Sequence, residues 1–189
     1  MSNPSNYVSP PRYQKDVNIK GKAITDDYKD IWKVLKKLPD LPALDIAGAE
    51  GFISHLARKA GIRDVTCIEI GENKIKLGRK HFTGIKFICG DIFSHFELVR
   101  KSEIFIISRF FHNIGPEWSE KLMEALNRPC IIVARHKRGD KRENGRPRQP
   151  LAMRRGVVKL LEKYGFRIRA YGDTVLAAKG EKYESCLAD

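Results

Sequence analysis

The sequence predicts an α/β fold in three layers, with a mostly parallel sheet between helices and an antiparallel hairpin at the C-terminal end. Two observations lead to this prediction. Five short apolar runs alternate with segments of helical periodicity between residues 43 and 134, which is typical of parallel strands that are covered on both faces. Two later strand-like runs are separated only by Gly172 and Asp173, and such a short connection makes them antiparallel.

The length and composition fit one globular domain. The chain has 189 residues, of which 42% are hydrophobic, enough for a single core. Residues 1–24 hold three of the nine prolines and little periodicity, so we expect an extended basic N-terminal arm at 1–24 and the domain over 25–189. Because no run approaches the roughly 20 apolar residues of a membrane helix, we expect a soluble, cytoplasmic protein without a membrane partner. The sequence does not predict an oligomeric state.

The elements follow from periodicity and from their end signals. A first helix is predicted to begin after Thr25, a suitable N-cap, and to end before Pro39. A last helix is predicted over 151–165, before the hairpin. Between them, strands are predicted at 43–47, 65–70, 85–89, 104–108 and 130–134, and helices at 52–60, 73–81, 96–101 and 119–126.

The four cysteines are scattered and form no C-x-x-C pair. Three of them, Cys67, Cys89 and Cys130, lie inside strand-like runs. We therefore expect reduced, buried thiols and neither a disulfide framework nor a metal site.

A turn rich in small residues follows the first predicted strand. The stretch "LDIAGAEG" closes an apolar run on Asp45, continues to Gly51 and opens into a helix, a frequent arrangement for holding a nucleotide. The dinucleotide pattern G-x-G-x-x-G and the phosphate-binding pattern G-x-x-x-x-G-K-[ST] are both absent. A carboxylate at the end of this strand would repel a pyrophosphate. The pattern therefore favours a nucleoside ligand that lacks phosphates and carries positive charge.

With this turn, the sequence resembles the class I, Rossmann-like S-adenosylmethionine-dependent methyltransferases over roughly residues 40–180. The resemblance implies that Asp45 accepts from the ammonium group of the cofactor, directly or through water, and that the backbone from Ala47 to Gly51 approaches its methionine portion. The family pattern D-x-G-x-G-x-G has glycine where this chain has Ala47 and Ala49. Because alanine disfavours a positive φ, we expect the strained position to shift onto Gly48.

The same resemblance assigns two further carboxylates. Glu69, at the end of the second strand, is similar to the residue that binds both ribose hydroxyls, and its two oxygens match a vicinal diol. Asp91, after the third strand, is similar to the residue near the adenine amino group, with Ile70, Ile92 and Phe93 as walls for the ring. Because the carboxyl ends of adjacent parallel strands meet at one edge, these acids converge on one crevice.

The segment after the fourth strand, "SRFFHNIGPEW", carries the candidate catalytic residues. It lacks the D/N-P-P-Y/F and Pro-Cys signatures of nucleobase methyltransferases, and Ser108 or Arg109 stands where ribose methyltransferases have an acid. It resembles the aromatic-His turn of many small-molecule methyltransferases, which implies His112 as a base; Arg109 is the second catalytic candidate. Phe110 and Phe111 either line the acceptor site or close the core.

Positive charge is concentrated in two segments. Residues 135–155 contain nine Lys or Arg against two acids, and residues 1–39 contain eight against four, within a chain of net charge +13. Flexible Arg-rich segments bind phosphates and stack on unpaired bases, so we expect a nucleic-acid acceptor, RNA ahead of DNA. The side chains expected to bind it are Arg135, Lys137, Arg138, Arg142, Arg146 and Arg148.

Two alternatives remain at the level of sequence. One is a small-molecule methyltransferase that uses His112 as its base. The other, motivated by Ala47 and Ala49, is a non-catalytic module that binds nucleic acid on a degenerate cofactor fold.

Overall fold

A computed structural model of the protein describes residues 28–136 and 154–188. The predicted arm at 1–24, the predicted N-cap Thr25 and most of the basic segment lie outside the described residues. The region that carries the predicted nucleotide turn lies entirely within them.

The strands form one mixed sheet in the order β3-β2-β1-β4-β5-β7-β6. All neighbouring strands from β3 to β5 pair in parallel, and β7 pairs antiparallel with both β5 and β6. This architecture confirms the predicted α/β class, Rossmann-like and mostly parallel with a C-terminal hairpin. The strands are β1 (Ala43–Ile46), β2 (Val65–Glu69), β3 (Lys86–Cys89), β4 (Ile104–Ser108), β5 (Cys130–Arg135), β6 (Arg167–Tyr171) and β7 (Thr174–Lys179).

Helices cover both faces of this sheet. They are α1 (Lys29–Leu35), α2 (Phe52–Lys59), α3 (Glu72–His81), α4 (Phe96–Lys101), α5 (Phe111–Ala125), α6 (Arg154–Lys163) and α7 (Glu181–Glu184), with 3-10 turns at Ile92–Ser94 and Ser185–Leu187. The last helix and the last turn were not predicted, since four and three residues carry too little periodicity for a sequence pattern.

Helix α5 begins well before the predicted start at Ser119. Gly115 has φ 75° and ψ 174°, which interrupts the helix, and Pro116 then occupies the first position of the longer part. The Ser119 hydroxyl donates to the Gly115 carbonyl at 2.7 Å. The prediction was wrong because a Gly-Pro pair usually marks the end of a helix, whereas here it joins a short helical turn to a longer helix.

The core lies on both sides of the sheet, and β4 shows why its strands are continuously apolar. Phe105 and Ile107 point into the core beneath α4, α5 and α6, whereas Ile104 and Ile106 point into the core beneath α1, α2 and α3. All four side chains are buried. A strand that is buried on both faces has no position for a polar residue, which explains the unbroken run "IFII".

A buried ion pair joins β5 to the turn of the terminal hairpin. The Arg135 Nε donates to Oδ2 of Asp173 at 3.1 Å, and Nη2 lies 3.0 Å from the same oxygen. The guanidinium carbon also lies 4.8 Å from the ring centroid of Tyr28. Arg135 was predicted to open the flexible basic loop; that placement is wrong, because it is the last residue of β5 and is only 5% exposed.

The cysteines are free, but they are not all buried. Cys67 and Cys130 are buried as predicted, whereas Cys89 is exposed. Cys89 ends β3, which is the edge strand of the sheet; an edge strand has only one neighbour, and its last residue lies at the border of the core. No helix in the described ranges is both long and apolar enough to cross a membrane.

The Arg135–Asp173 pair gives a prediction for stability. Asp173→Ala leaves a buried guanidinium without its carboxylate and should lower the free energy of unfolding by about 3–5 kcal/mol. Chemical denaturation measures this loss. Arg167→Ala is the matched control, because it breaks a pair with Glu184 in which the arginine side chain is 69% exposed, and it should cost less than about 1 kcal/mol. Equal losses in the two variants would contradict the role given to burial.

Candidate functional site

The main cavity lies at the carboxyl ends of β1, β2, β3 and β4. Parallel pairing brings these four ends to one edge of the sheet, the usual position for ligands in open α/β sheets. The cavity has a volume of about 450 Å³, within the range of roughly 300–1,000 Å³ for small-molecule sites. Its lining residues are Ala47, Ile68, Glu69, Ile70, Gly90, Asp91, Ile92, Phe93, Phe110, Asn113, Ile114 and Trp118.

The turn between β1 and α2 forms one end of this cavity. Ala47 and Ala49 have φ angles of 56° and 52°, in the left-handed region, whereas Gly48 does not have a positive φ. The expectation that Gly48 takes the strained position is therefore wrong, and each alanine bears a cost of roughly 1–2 kcal/mol. Gly48 is needed for space, because a Cβ there would lie 2.6 Å from Sγ of Cys67 and 2.7 Å from Oδ2 of Asp45.

Asp45 lies beneath the turn and is fully buried. Its Oδ2 accepts from the Ser54 hydroxyl at 2.6 Å, and its Oδ1 has no hydrogen-bond partner within residues 28–136 and 154–188. Burial, with a smaller contribution from the nearby Glu69 carboxylate, raises the pKa of Asp45 from 3.8 to about 7, although the hydrogen bond from Ser54 acts in the opposite direction. Asp45 lines neither of the cavities described in this subsection. Its predicted contact with an ammonium group stays a prediction.

Glu69 connects the turn to the second strand. Its Oε2 accepts from the backbone N–H of Ala49 at 3.1 Å, and its Oε1 accepts from the N–H of Gly71 at 3.0 Å. The Lys74 ammonium lies 3.3 Å from Oε1. Each carboxylate oxygen can accept more than one hydrogen bond, and Glu69 lines the main cavity. Glu69 can therefore still accept from ribose hydroxyls, and this contact stays a prediction.

The third carboxylate, Asp91, and the three predicted apolar residues also line the main cavity. Oδ1 of Asp91 accepts from the N–H of Phe93 at 3.1 Å and thereby caps the 3-10 turn at Ile92–Ser94. This cap orients Ile92 and Phe93 along the cavity. Ile70 lines it from the end of β2 and is 73% exposed. The structure thus brings together Glu69, Asp91 and the predicted apolar walls, while their roles stay predictions.

Another part of the cavity wall comes from residues 110–118, around the start of α5, and most of these residues were missed in the sequence. Phe110 was predicted there, but Asn113, Ile114 and Trp118 were not, because the helix was predicted to begin after them. Trp118 is 43% exposed, and its ring centroid lies 4.6 Å from that of Phe93. Trp118 could have indicated this wall in the sequence, because a large aromatic side chain usually packs against other groups.

A smaller cavity of about 130 Å³ lies on the other side of Ala47, which lines both cavities. Arg109 lines it with φ 59°, and the Arg109 N–H donates to the Arg135 carbonyl at 2.7 Å. Glu50, which was not predicted, is 6% exposed there. The lining residues are Tyr28, Ala47, Gly48, Ala49, Glu50, Phe52, Ile53, Ser108, Arg109 and Arg135.

The remaining predicted residues fall into two groups. Phe111 is 3% exposed and belongs to the core beneath α4, α5 and α6, which is the second of the two positions that the sequence allowed for it. Phe111 is the first residue of α5, and its side chain packs in this core, whereas Phe110 lines the main cavity. The backbone of His112 lies in α5, but its side chain is outside the described part of the chain. The other predicted acceptor-binding residues also lie outside it: Lys137, Arg138, Arg142, Arg146 and Arg148.

Comparisons with known proteins identify the fold. No protein-family model matches the sequence, and no curated protein matches it. The structure is similar to human N-acetylserotonin methyltransferase in complex with S-adenosylmethionine (19% identity, TM-score 0.53, 81% of this chain and 52% of that one). It is also similar to magnesium protoporphyrin IX methyltransferase from Synechocystis with bound S-adenosylmethionine (13%, 0.54, 90% and 92%). A third similar structure is an S-adenosylmethionine-dependent methyltransferase from Aquifex aeolicus (15%, 0.55, 91% and 97%).

The chain therefore spans about half the length of the human protein and nearly all of the other two. At these identities the similarity shows the fold: the chain has the class I, Rossmann-like fold of S-adenosylmethionine-dependent methyltransferases, as the resemblance in the sequence implied.

The buried Asp45 gives a prediction for the pH dependence of stability. Its pKa is 3.8 in the unfolded chain and about 7 in the folded protein, so between these values only the folded protein keeps the proton. The contribution of Asp45 to stability is therefore fully present below the lower value and is lost as the pH rises through the upper one. Asp45→Asn abolishes this titration while it can still accept from Ser54.

The stability of Asp45→Asn relative to the unmodified protein should thus increase from about pH 4 to about pH 7 and stay constant above. The total change is up to roughly 4 kcal/mol, since a tenfold change in proton affinity corresponds to about 1.4 kcal/mol. Denaturant titrations at several pH values measure it, with the exposed Asp64→Asn as the control. A difference that does not vary with pH would contradict the assignment.

Proposed function

We propose that the protein is an S-adenosylmethionine-dependent methyltransferase. The observation that carries the proposal is the main cavity, where Glu69 and Asp91 follow adjacent strands and face apolar walls at the edge of the sheet. Two carboxylates at this position suit the hydroxyl and amino groups of a nucleoside portion that carries no phosphate, and they oppose a phosphate. The fold comparisons support the same conclusion, because two of the similar structures contain S-adenosylmethionine.

The residues of the cavity fit this cofactor. Ile70 is 73% exposed at the cavity wall, and an aromatic ring laid against it would remove apolar surface from water, which favours binding. Ile92 and Phe93 supply further apolar surface in the same cavity. We assign Glu69 to the ribose hydroxyls and Asp91 to the adenine amino group, as the resemblance implied.

The protein's contribution to catalysis would be positioning and the exclusion of water. The bound cofactor supplies a methyl group on a sulfonium, which is already activated for in-line transfer. Phe110 and Trp118 line the same cavity, with Trp118 packed against Phe93, and would hold the acceptor in an apolar environment. A hydroxyl acceptor requires a base, whereas an amine or a ring nitrogen can react without one. His112 stays the predicted base for a hydroxyl.

Truncation of Ile70 tests the cofactor assignment. The protein should bind S-adenosylmethionine in a calorimetric titration, and Ile70→Ala should weaken binding by about three- to tenfold, because the ring loses one apolar wall. The melting temperature should hardly change, since the side chain is mostly exposed. Ile85→Ala is the control, because it makes the same truncation just before β3, at the end of that strand far from the cavity. It should leave the affinity unchanged. No heat at millimolar ligand would overturn the proposal and favour a non-catalytic module.

For the acceptor we propose RNA. The proposal is supported by the net charge of +13 and by an aromatic and cationic rim at the main cavity. The Lys121 ammonium lies 4.7 Å from the ring centroid of Trp118, and a stacking platform beside a cation suits an unpaired base with its phosphate. Single-stranded RNA can present such a base without the opening of a duplex. The human and Synechocystis proteins named above bear the names of other acceptors, so the RNA proposal depends on charge and on this rim alone.

The acceptor can be identified by transfer of a labelled methyl group onto total RNA, DNA and a metabolite extract, with the label expected in RNA. Affinity for single-stranded RNA should fall steeply with salt, because bound phosphates release counterions. Lys121→Gln should reduce the slope of log affinity against log salt by about one. Lys182→Gln, on α7 and paired with Glu103, should leave the slope unchanged. Label confined to the metabolite fraction, with weak salt dependence, would contradict RNA and favour a small molecule.

A further inference from the structure

Every exposed residue of helix α1 and its C-cap is a lysine. These residues are Lys29, Lys33 and Lys36, and their spacing of four and three positions places them in one row along the helix. We call this row the lysine face. Asp30, the one acid of α1, is directed to the turn of the terminal hairpin, where its Oδ2 accepts from the N–H of Asp173 at 3.2 Å.

Two of the three cations of the lysine face have no acidic partner. Lys33 and Lys36 form no ion pair with any residue of the described ranges. The next acid along the chain, Asp40, pairs with Arg63. Like charges at these spacings repel each other on a helix, whereas α3 pairs a lysine with a glutamate four residues earlier at 2.8 Å. The lysine face therefore has a positive potential that an external anion would relieve.

The fold does not depend on these lysines. Ile31, Val34 and Leu35 are fully buried beneath α1, where the helix packs on β5, β6 and β7. Burial of three large apolar side chains outweighs the repulsion between exposed like charges. The lysines can therefore be replaced while α1 stays in place.

Two aromatic rings lie among the cations of this surface. The Lys36 ammonium lies 5.7 Å from the ring centroid of Trp32, which is half-buried. On the edge strand β6, the ring centroid of Tyr171 lies 5.6 Å from the Lys37 ammonium and 5.5 Å from the guanidinium carbon of Arg169. Cations that alternate with aromatic rings suit the phosphates and bases of a single-stranded nucleic acid.

The lysine face begins beside the candidate site. Tyr28, the N-cap of α1, lines the smaller cavity together with Ala47 and Arg109, and Ala47 also lines the main cavity. Arg109 is exposed and forms no ion pair with any described acidic residue. Positive charge thus continues from α1 to the border of the main cavity, and the seven residues of α1 extend it by about 10 Å.

We infer that the lysine face binds the phosphate backbone of the RNA acceptor, at a distance from the base that enters the main cavity. The inference depends on the proposed function, because it gives the proposed RNA a second contact. A membrane surface is a poorer partner for this helix, since membrane-binding helices expose an apolar face, whereas the apolar side chains Ile31, Val34 and Leu35 of α1 are buried.

The double variant Lys33→Gln/Lys36→Gln tests the inference. For a labelled single-stranded RNA oligonucleotide, the slope of log affinity against log salt should decrease by about 1.4, at roughly 0.7 for each lost phosphate contact. In methyl transfer the KM for RNA should rise about tenfold with kcat unchanged, because the contact is remote from the reacting atoms. Affinity for S-adenosylhomocysteine, measured by calorimetry, should not change. Charge reversal, Lys33→Glu/Lys36→Glu, should act in the same direction and more strongly.

Lys76→Gln/Lys80→Gln is the matched control, because it removes the same charge from two exposed positions of α3. It should leave the salt slope and the KM for RNA close to those of the unmodified protein. An equal decrease of the slope in the two glutamine variants would overturn the inference, since net charge alone would then explain the binding. Loss of affinity for phosphatidylserine vesicles but not for RNA in Lys33→Gln/Lys36→Gln would overturn it in favour of a membrane contact.

Two further outcomes separate the inference from the proposed function. A slope that is unchanged in Lys33→Gln/Lys36→Gln but decreases in Lys121→Gln would overturn the inference and leave RNA as the proposed acceptor. An unmodified protein that binds S-adenosylhomocysteine but no RNA would overturn the proposed acceptor, and the inference with it, while the proposed methyltransferase would stand.

Discussion

The shape of the site depends on the hydrogen bonds of one carboxylate, that of Glu69. Glu69 accepts from the N–H of Ala49 in the turn and from the N–H of Gly71 after β2, so it fixes the end of one strand against the turn that follows its neighbour. Both cavities are shaped by that turn, because Ala47 lines each of them. Two alanines in left-handed conformations are unfavourable by themselves, and these hydrogen bonds, together with the closely packed Gly48, are what keeps the backbone there.

The distribution of charge is the second constraint. A chain of net charge +13 keeps three carboxylates, Asp45, Glu50 and Glu69, buried around one turn. Burial and the charge of Glu69 already hold the pKa of Asp45 near 7, so the turn gains from a cation and resists an anion. The proposed cofactor, which is positively charged, and the proposed polyanionic acceptor are therefore compatible in one molecule, since these three carboxylates are buried whereas described cations such as Lys121 and Lys182 are exposed.

The sequence predicted the strands well and the part of the main cavity formed by α5 poorly. Each predicted strand of the parallel part is present with its ends within one residue, because a strand buried on both faces leaves an unbroken apolar run. Helix α5 was placed too late, since Gly115 and Pro116 resemble a helix end, and with it Asn113, Ile114 and Trp118 were missed. Arg135 and Cys89 were misplaced because local patterns do not reveal whether a strand end is covered by a hairpin turn or lies at the edge of the sheet.

The sequence by itself determined the α/β order, the antiparallel hairpin and the three acids at the strand ends, because each of these follows from periodicity, connection length or residue type over a few neighbours. Only the tertiary structure decided what the acids do. It buried Asp45 against Ser54, joined Glu69 to the turn and made Asp91 the cap of the 3-10 turn that carries Ile92 and Phe93. Hydrogen bonding and burial depend on residues brought together from distant parts of the chain, and local sequence carries no record of those partners.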